Sequence, residues 1–177
     1  MPQLPGSGTA PTSLGGPLES RHLGPIELDG GSGGGRMDAV VPLRGVEVPL
    51  RLEIDFPDRL DQGVIDKVDI ALEALDFHDD LARQTIADGL RREGTVPARL
   101  FHAWADRAPG REQATREFLD LLRPLHLTIT PDGGKVNRNR VVMDYGLADS
   151  SVSGTVTVRF VQPTGPELVP ATRPGMR

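Results

Sequence analysis

From Val46 to Phe56 the chain alternates without a break: Val46, Val48, Leu50, Leu52, Ile54 and Phe56 interleave with Glu47, Pro49, Arg51, Glu53 and Asp55. Successive side chains of a strand point to opposite faces. A strict period of two therefore specifies a strand with one buried and one solvated face. Pro49 has no backbone N–H to give to a ladder, which predicts an edge position or a bulge there. Arg44-Gly45 lies between this run and the extended segment Met37 to Leu43, and predicts a tight hairpin.

The period changes after Pro57-Asp58. Leu60, Val64, Val68, Ala71, Leu72 and Leu75 fall three and four apart, the stripe of an amphipathic helix, with Asp58 or Asp61 as its N-cap. A second helix is expected from about Asp79 to Arg92, stopping at Gly94. Thr95 caps a third, with Pro97 in its first turn. Pro109-Gly110 separates it from a fourth, running from about Arg111 to Arg123. Pro124 ends the helices. Strands return at Leu125 to Ile129, Val136 to Tyr145, Ser153 to Val161 and Glu167 to Val169, and a short first strand is expected at His22 to Leu28.

The order is strands, about four helices, then strands, with some seven strands in all. Without β-α-β alternation this predicts an α+β fold, a mostly antiparallel sheet with helices on one face. Length agrees with one domain: 177 residues, of which 22–170 form the expected α+β unit. The first 21 residues are rich in Pro, Gly, Ser and Thr and lack apolar periodicity, so a disordered arm is expected there, with a frayed tail over 171–177.

Composition narrows function by exclusion. With no cysteine the chain has no disulfide, thiol nucleophile or thiolate zinc site. A net charge of −5 and few aromatic residues argue against nucleic acid and anionic membranes as partners. No apolar stretch has membrane-spanning length and no secretory signal is visible, so a cytoplasmic location is expected. The sequence carries no feature that sets an oligomeric state.

No catalytic or cofactor motif is evident, and no cofactor is expected. The glycines from Gly30 to Gly35 lack the Lys-Ser/Thr pair and the following helix of a phosphate loop, and read as a hairpin loop. The densest polar cluster is Asp76, His78, Asp79 and Asp80, at the junction of the first two expected helices. Three carboxylates and an imidazole suit a divalent cation or acid–base chemistry, but the spacing matches no calcium loop. Asp79 or Asp80 is more simply the N-cap of the following helix. Asp144 and Tyr145 form a second polar pair.

Several segments together resemble a family of small bacterial domains of unknown function. They are Leu23-Gly24-Pro25-Ile26, the alternating run from Gly45, Ala74-Leu75-Asp76 with Leu81-Ala82-Arg83, Val142-Met143-Asp144-Tyr145, and Thr155 to Phe160. The resemblance spans roughly Leu23 to Val169. It implies a small α+β protein, and some such domains resemble immunity proteins that neutralise toxins. It carries no catalytic residues with it. The expectation is therefore a protein-binding domain for a protein partner such as a basic toxin, with Asp76, His78, Asp79, Asp80, Asp144 and Tyr145 as candidate partner-binding residues. The alternatives are a small metal-dependent hydrolase using those same residues, or a small-ligand-binding domain with a groove between sheet and helices.

Overall fold

The computed structural model describes residues 17–31, 34–106, 111–133, 139–148, 152–161 and 164–170. The expected arm up to residue 16 and the tail from 171 lie outside them. Two short strands, β1 (Glu19–Ser20) and β2 (Gly24–Pro25), pair with each other. A mixed sheet then runs in chain order: β3 (Asp29–Gly31), β4 (Gly34–Leu43), β5 (Val46–Ile54), β6 (Leu122–Ile129), β7 (Asn139–Leu147), β8 (Val156–Val161) and β9 (Gly165–Leu168). Four helices, α1 (Gln62–Glu73), α2 (Leu75–Leu90), α3 (Val96–Ala105) and α4 (Arg111–Leu121), lie between β5 and β6. The fold is α+β, as the element order predicts.

Every neighbouring pair in the mixed sheet is antiparallel except β5 and β6. The helical excursion returns the chain to the end where β5 began, so Leu50–Leu52 pair in parallel with Leu127–Ile129. This corrects the expectation for Pro49. It sits in an interior strand, between β4 and β6, and lies just before the β6 register begins, where no ladder donor is needed on that side. The irregularity instead falls in β6 between Pro124 and His126. Pro124 stands inside that strand, and a bulge is one of the few places a sheet tolerates proline.

The alternation in β5 is realised over its middle: Val46 at its start and Phe56 beyond its end are exposed, whereas Val48, Leu50, Leu52 and Ile54 are buried. Their faces merge with Val41 and Leu43 of β4, Leu127 and Ile129 of β6, and Val158 and Phe160 of β8. Val68, Leu75, Ala82, Ile86, Phe101 and Phe118 cover this face from the helices. The opposite face of the sheet stays partly or fully exposed at alternate residues.

The local signals hold in part. Arg44 and Gly45 have φ of 49° and 79°, the two positive values a type I′ hairpin requires. Asp61 caps α1, accepting from the Val64 N–H at 2.9 Å. Thr95 caps α3, accepting from the Ala98 N–H at 3.3 Å. The second helix starts earlier than expected, at Leu75, directly after the Ala74 junction. Neither Asp79 nor Asp80 is its N-cap. Both lie in the second turn, where the backbone N–H groups already have helical acceptors, and the cap residue Ala74 has no side-chain bond to give.

At the N-terminal edge Glu19 and Ser20 are already paired, ahead of the expected boundary at residue 21. Within the glycine run, Gly30 faces Gly35 and Gly31 faces Gly34 in the β3–β4 pairing; residues 32–33 lie outside the described residues. A Cβ on Gly35 would meet Leu28 Cδ1 at 2.6 Å, so close packing under the hairpin, rather than phosphate binding, accounts for glycine there.

Candidate functional site

Three polar arrangements stand out, and they divide the residues singled out in the sequence. The first is buried. Asp79 is fully enclosed on α2, and Tyr145, fully enclosed on β7, donates its hydroxyl to Asp79 Oδ1 at 2.8 Å. Arg44 Nε and Arg83 Nε donate to Oδ2 at 2.5 Å and 2.9 Å. Arg44 Nη2 also bonds Asp80. Arg83 goes on to the backbone oxygens of Leu119 and Leu122, both at 3.2 Å, and its guanidinium lies 5.7 Å from the centre of the Tyr145 ring. A hairpin turn, a helix, a central strand and the α4–β6 junction are thus tied to one carboxylate.

Burial pushes the Tyr145 phenol far above its usual range, and the adjacent Asp79 charge adds to the effect. A phenol held neutral, facing a carboxylate with two guanidinium partners, is an interior anchor with no open side. Asp79 and Tyr145 therefore offer no surface to a partner. Asp76 and Asp80 are exposed on the same helix.

The second arrangement is a cleft of about 500 Å³ between α1, α2 and the ends of β6 and β7. Ile70, Ala71 and Ala74 wall it from the helices, and Ile129 and Val141 from the sheet. Lys67, His78 and Arg140 are its ionisable lining. The His78 ring stands edge-on to Phe160 at 4.7 Å, and its Nδ1 is buried without a hydrogen bond among the described residues. Burial lowers the His78 pKa, with the Ala74 backbone working against it, so the imidazole is neutral near pH 7.

The third is the uncovered sheet face. His126 of β6 stands directly across from Asp144 of β7, which stands across from Thr157 of β8. The Thr157 hydroxyl donates to Asp144 Oδ1 at 2.5 Å, and Thr128 Oγ1 lies 3.5 Å from His126 Nδ1. Arg51 Nε donates to Asp38 at 3.1 Å, and this bond is the main cause that draws the Asp38 carboxyl down, with smaller help from Arg36 and His126. Arg159 reaches Glu167 at 3.3 Å, while its Nε is buried without a partner among the described residues. Val40 is 58% exposed on this face, beside the exposed Pro42 and Pro49.

Asp144 and Tyr145, adjacent in sequence, thus point to opposite faces of the sheet, as strand geometry demands. The Asp76–Asp80 cluster is likewise divided: Asp79 turns inward, His78 lines the cleft, and Asp76 and Asp80 face solvent. Among the described residues no group of three or more His, Asp or Glu is arranged to hold a metal ion.

Sequence reasoning missed the His126–Asp144–Thr157 row and the roles of Arg44 and Arg83: the row and Arg44 depend on strand register or on contacts 35 residues apart, and Arg83 joins a local i,i+4 bond to Asp79 with contacts 36 and 39 residues away. It also missed a buried latch. Ser20 Oγ donates to Asp69 Oδ1 at 2.5 Å and accepts from the His22 and Leu23 N–H groups at 3.2 Å and 2.9 Å. The Arg21 N–H adds a bond to Asp69 Oδ2 at 3.1 Å. Burial alone raises a carboxyl pKa, but these bonds from Ser20 and Arg21 outweigh it and leave Asp69 below its usual range.

No helix among the described residues is long and apolar enough to cross a membrane. Comparison with known proteins returns no match to a family model, a curated protein or a solved structure.

Proposed function

We propose that this domain is a protein-binding module that docks a basic protein on the uncovered face of its sheet, in the way an immunity protein occludes a toxin. The observation that carries the reading is the composition of that face. Asp38, Glu47, Glu53, Asp144 and Glu167 stand on it against Arg36, Arg51 and Arg159, next to the apolar step of Val40, Pro42 and Pro49. Carboxylates spread along the same face as an exposed apolar patch are what a basic partner with an apolar anchor recognises. The charge of the whole chain, −5, favours rapid encounter with such a partner.

The resemblance to immunity-like domains points the same way. Of the six residues first singled out, Asp144 belongs to this face. Asp76 and Asp80 lie in the helical layer, His78 lines the cleft, and Asp79 and Tyr145 act from the interior by holding the layers together.

The test is association with the products of genes adjacent to this one, measured by titration calorimetry, and protection against any toxicity they carry. Glu53→Lys and Val40→Asp are expected to weaken the complex at least tenfold while leaving the fold intact, with the wild-type association rate falling as salt rises. Binding that ignores both substitutions would move the interface off this face. Failure of every neighbouring product to bind would overturn the reading.

A further inference from the structure

The cleft between α1, α2 and the sheet lies on the helical side of β6 and β7, away from the face assigned to a protein partner. We propose that it is a binding site for a small monocarboxylate carried on an apolar body, such as a medium-chain or aryl-substituted acid.

The charge of its lining points to an anion. In a chain with five more acidic than basic residues, this cleft is lined by Lys67 and Arg140 and by no carboxylate. Neither cation has a carboxylate partner among the described residues. Arg140 is also held in a defined pose: its Nη1 donates to the Pro131 oxygen at 2.7 Å and to the Thr130 oxygen at 3.4 Å. The other edge of the guanidinium, Nε and Nη2, has no partner among the described residues. That edge is the fork that takes the two oxygens of a carboxylate side by side.

The remaining wall sets the rest of the ligand. Ile70, Ala71, Ala74, Ile129 and Val141 present hydrocarbon, and Ile70 is left 61% exposed at the rim. A volume near 500 Å³ falls in the range of small-molecule sites. His78 also lines the cleft, and its neutral ring adds no charge to the site. Inorganic phosphate and phosphate monoesters carry more charge and more acceptors than one fork, one ammonium and a hydrocarbon wall satisfy.

Calorimetric titration of the full chain with octanoate, octanamide and inorganic phosphate tests the assignment. Octanoate is expected to bind at least tenfold tighter than octanamide, which keeps the chain but lacks the charge, and phosphate is expected not to compete. Arg140→Met and Lys67→Met should each weaken octanoate about tenfold, and Ala71→Trp should block it by filling the cleft. Lys67 is exposed and has no hydrogen bond or ion pair among the described residues, so it decides the question if Arg140→Met fails to fold. Equal binding of octanamide, tighter binding of phosphate, or octanoate affinity unchanged in Lys67→Met would each overturn the proposal. So would no octanoate binding at millimolar concentration. A variant of the sheet face, Glu53→Lys, should bind octanoate like the wild type, which separates this site from the partner surface.

Discussion

Replacing Tyr145 with Phe removes one hydroxyl from the centre of the molecule and leaves the ring in place. The bond lost is a phenol donating to a carboxylate at 2.8 Å, in a site closed to water. Hydrogen bonds to charged groups contribute about 1.5–3 kcal/mol. The ring volume is kept, so the cavity left is too small to add much. Asp79 Oδ2 keeps Arg44 and Arg83, so the charge itself remains paired. The expected cost is about 2 kcal/mol, or roughly 4–8 °C in Tm for a domain of this size.

Urea unfolding followed by the fluorescence of Trp104, the chain's single tryptophan, measures it. The same site predicts a pH dependence. Tyr145 is also the single tyrosine, and its pKa is raised in the folded state. The native state therefore favours the protonated phenol. That stability is fully present below about pH 10, the unfolded value, and is lost as pH rises above it. Phenolate absorbance should appear only together with unfolding. Tyr145→Phe should lose stability less steeply than the wild type in the same alkaline range. A cost below about 0.5 kcal/mol, or a phenol that ionises near pH 10 in the folded protein, would refute the account of Asp79 as a buried, three-partner anchor.

Ser20→Ala should cost about 2 kcal/mol and speed hydrogen exchange at the His22 and Leu23 amides, whose acceptor it removes. Because the folded pKa of Asp69 is depressed, its contribution is present above the unfolded value of about 3.9 and fades as pH falls through the folded one. Proteolysis ahead of α1 should rise in that acid range. His78 is also depressed when folded, so its contribution is present above about pH 6.5 and fades on acidification. Between pH 7 and 5 the Tm of the wild type should fall more than that of His78→Gln. Gly89→Val should cost about 1–3 kcal/mol by thermal unfolding, since a Cβ there meets Leu168 Cδ1 at 2.6 Å and Pro97 Cγ at 3.1 Å.

The elements that were legible in advance rest on local chemistry. The alternation of Val48 to Ile54 specified β5 and its buried face, because side-chain direction follows from backbone geometry alone. Arg44-Gly45 marked the hairpin, Asp61 and Thr95 the starts of α1 and α3, and the run of strands, helices and strands the α+β class. Each signal is contained within a few residues of the structure it predicts.

What tertiary structure decided is which of those residues meet. The Asp76–Asp80 cluster reads as one site in sequence, yet a helix turns its members about 100° per residue and sends them to different surroundings. Asp79 looks like a cap and is instead the carboxylate that holds Arg44, Arg83 and Tyr145, a choice set by partners 35 and 66 residues away in one direction and the other. Asp144 and Tyr145 are separated by the pleat. His126 gains Asp144 only through the β6–β7 register, and the cleft exists only because α1 and α2 pack across the ends of β6 and β7. The sequence by itself thus determined the elements and their buried faces. Register, packing and long-range pairing, which depend on where distant segments come together, decided which polar groups are anchors and which are free to bind.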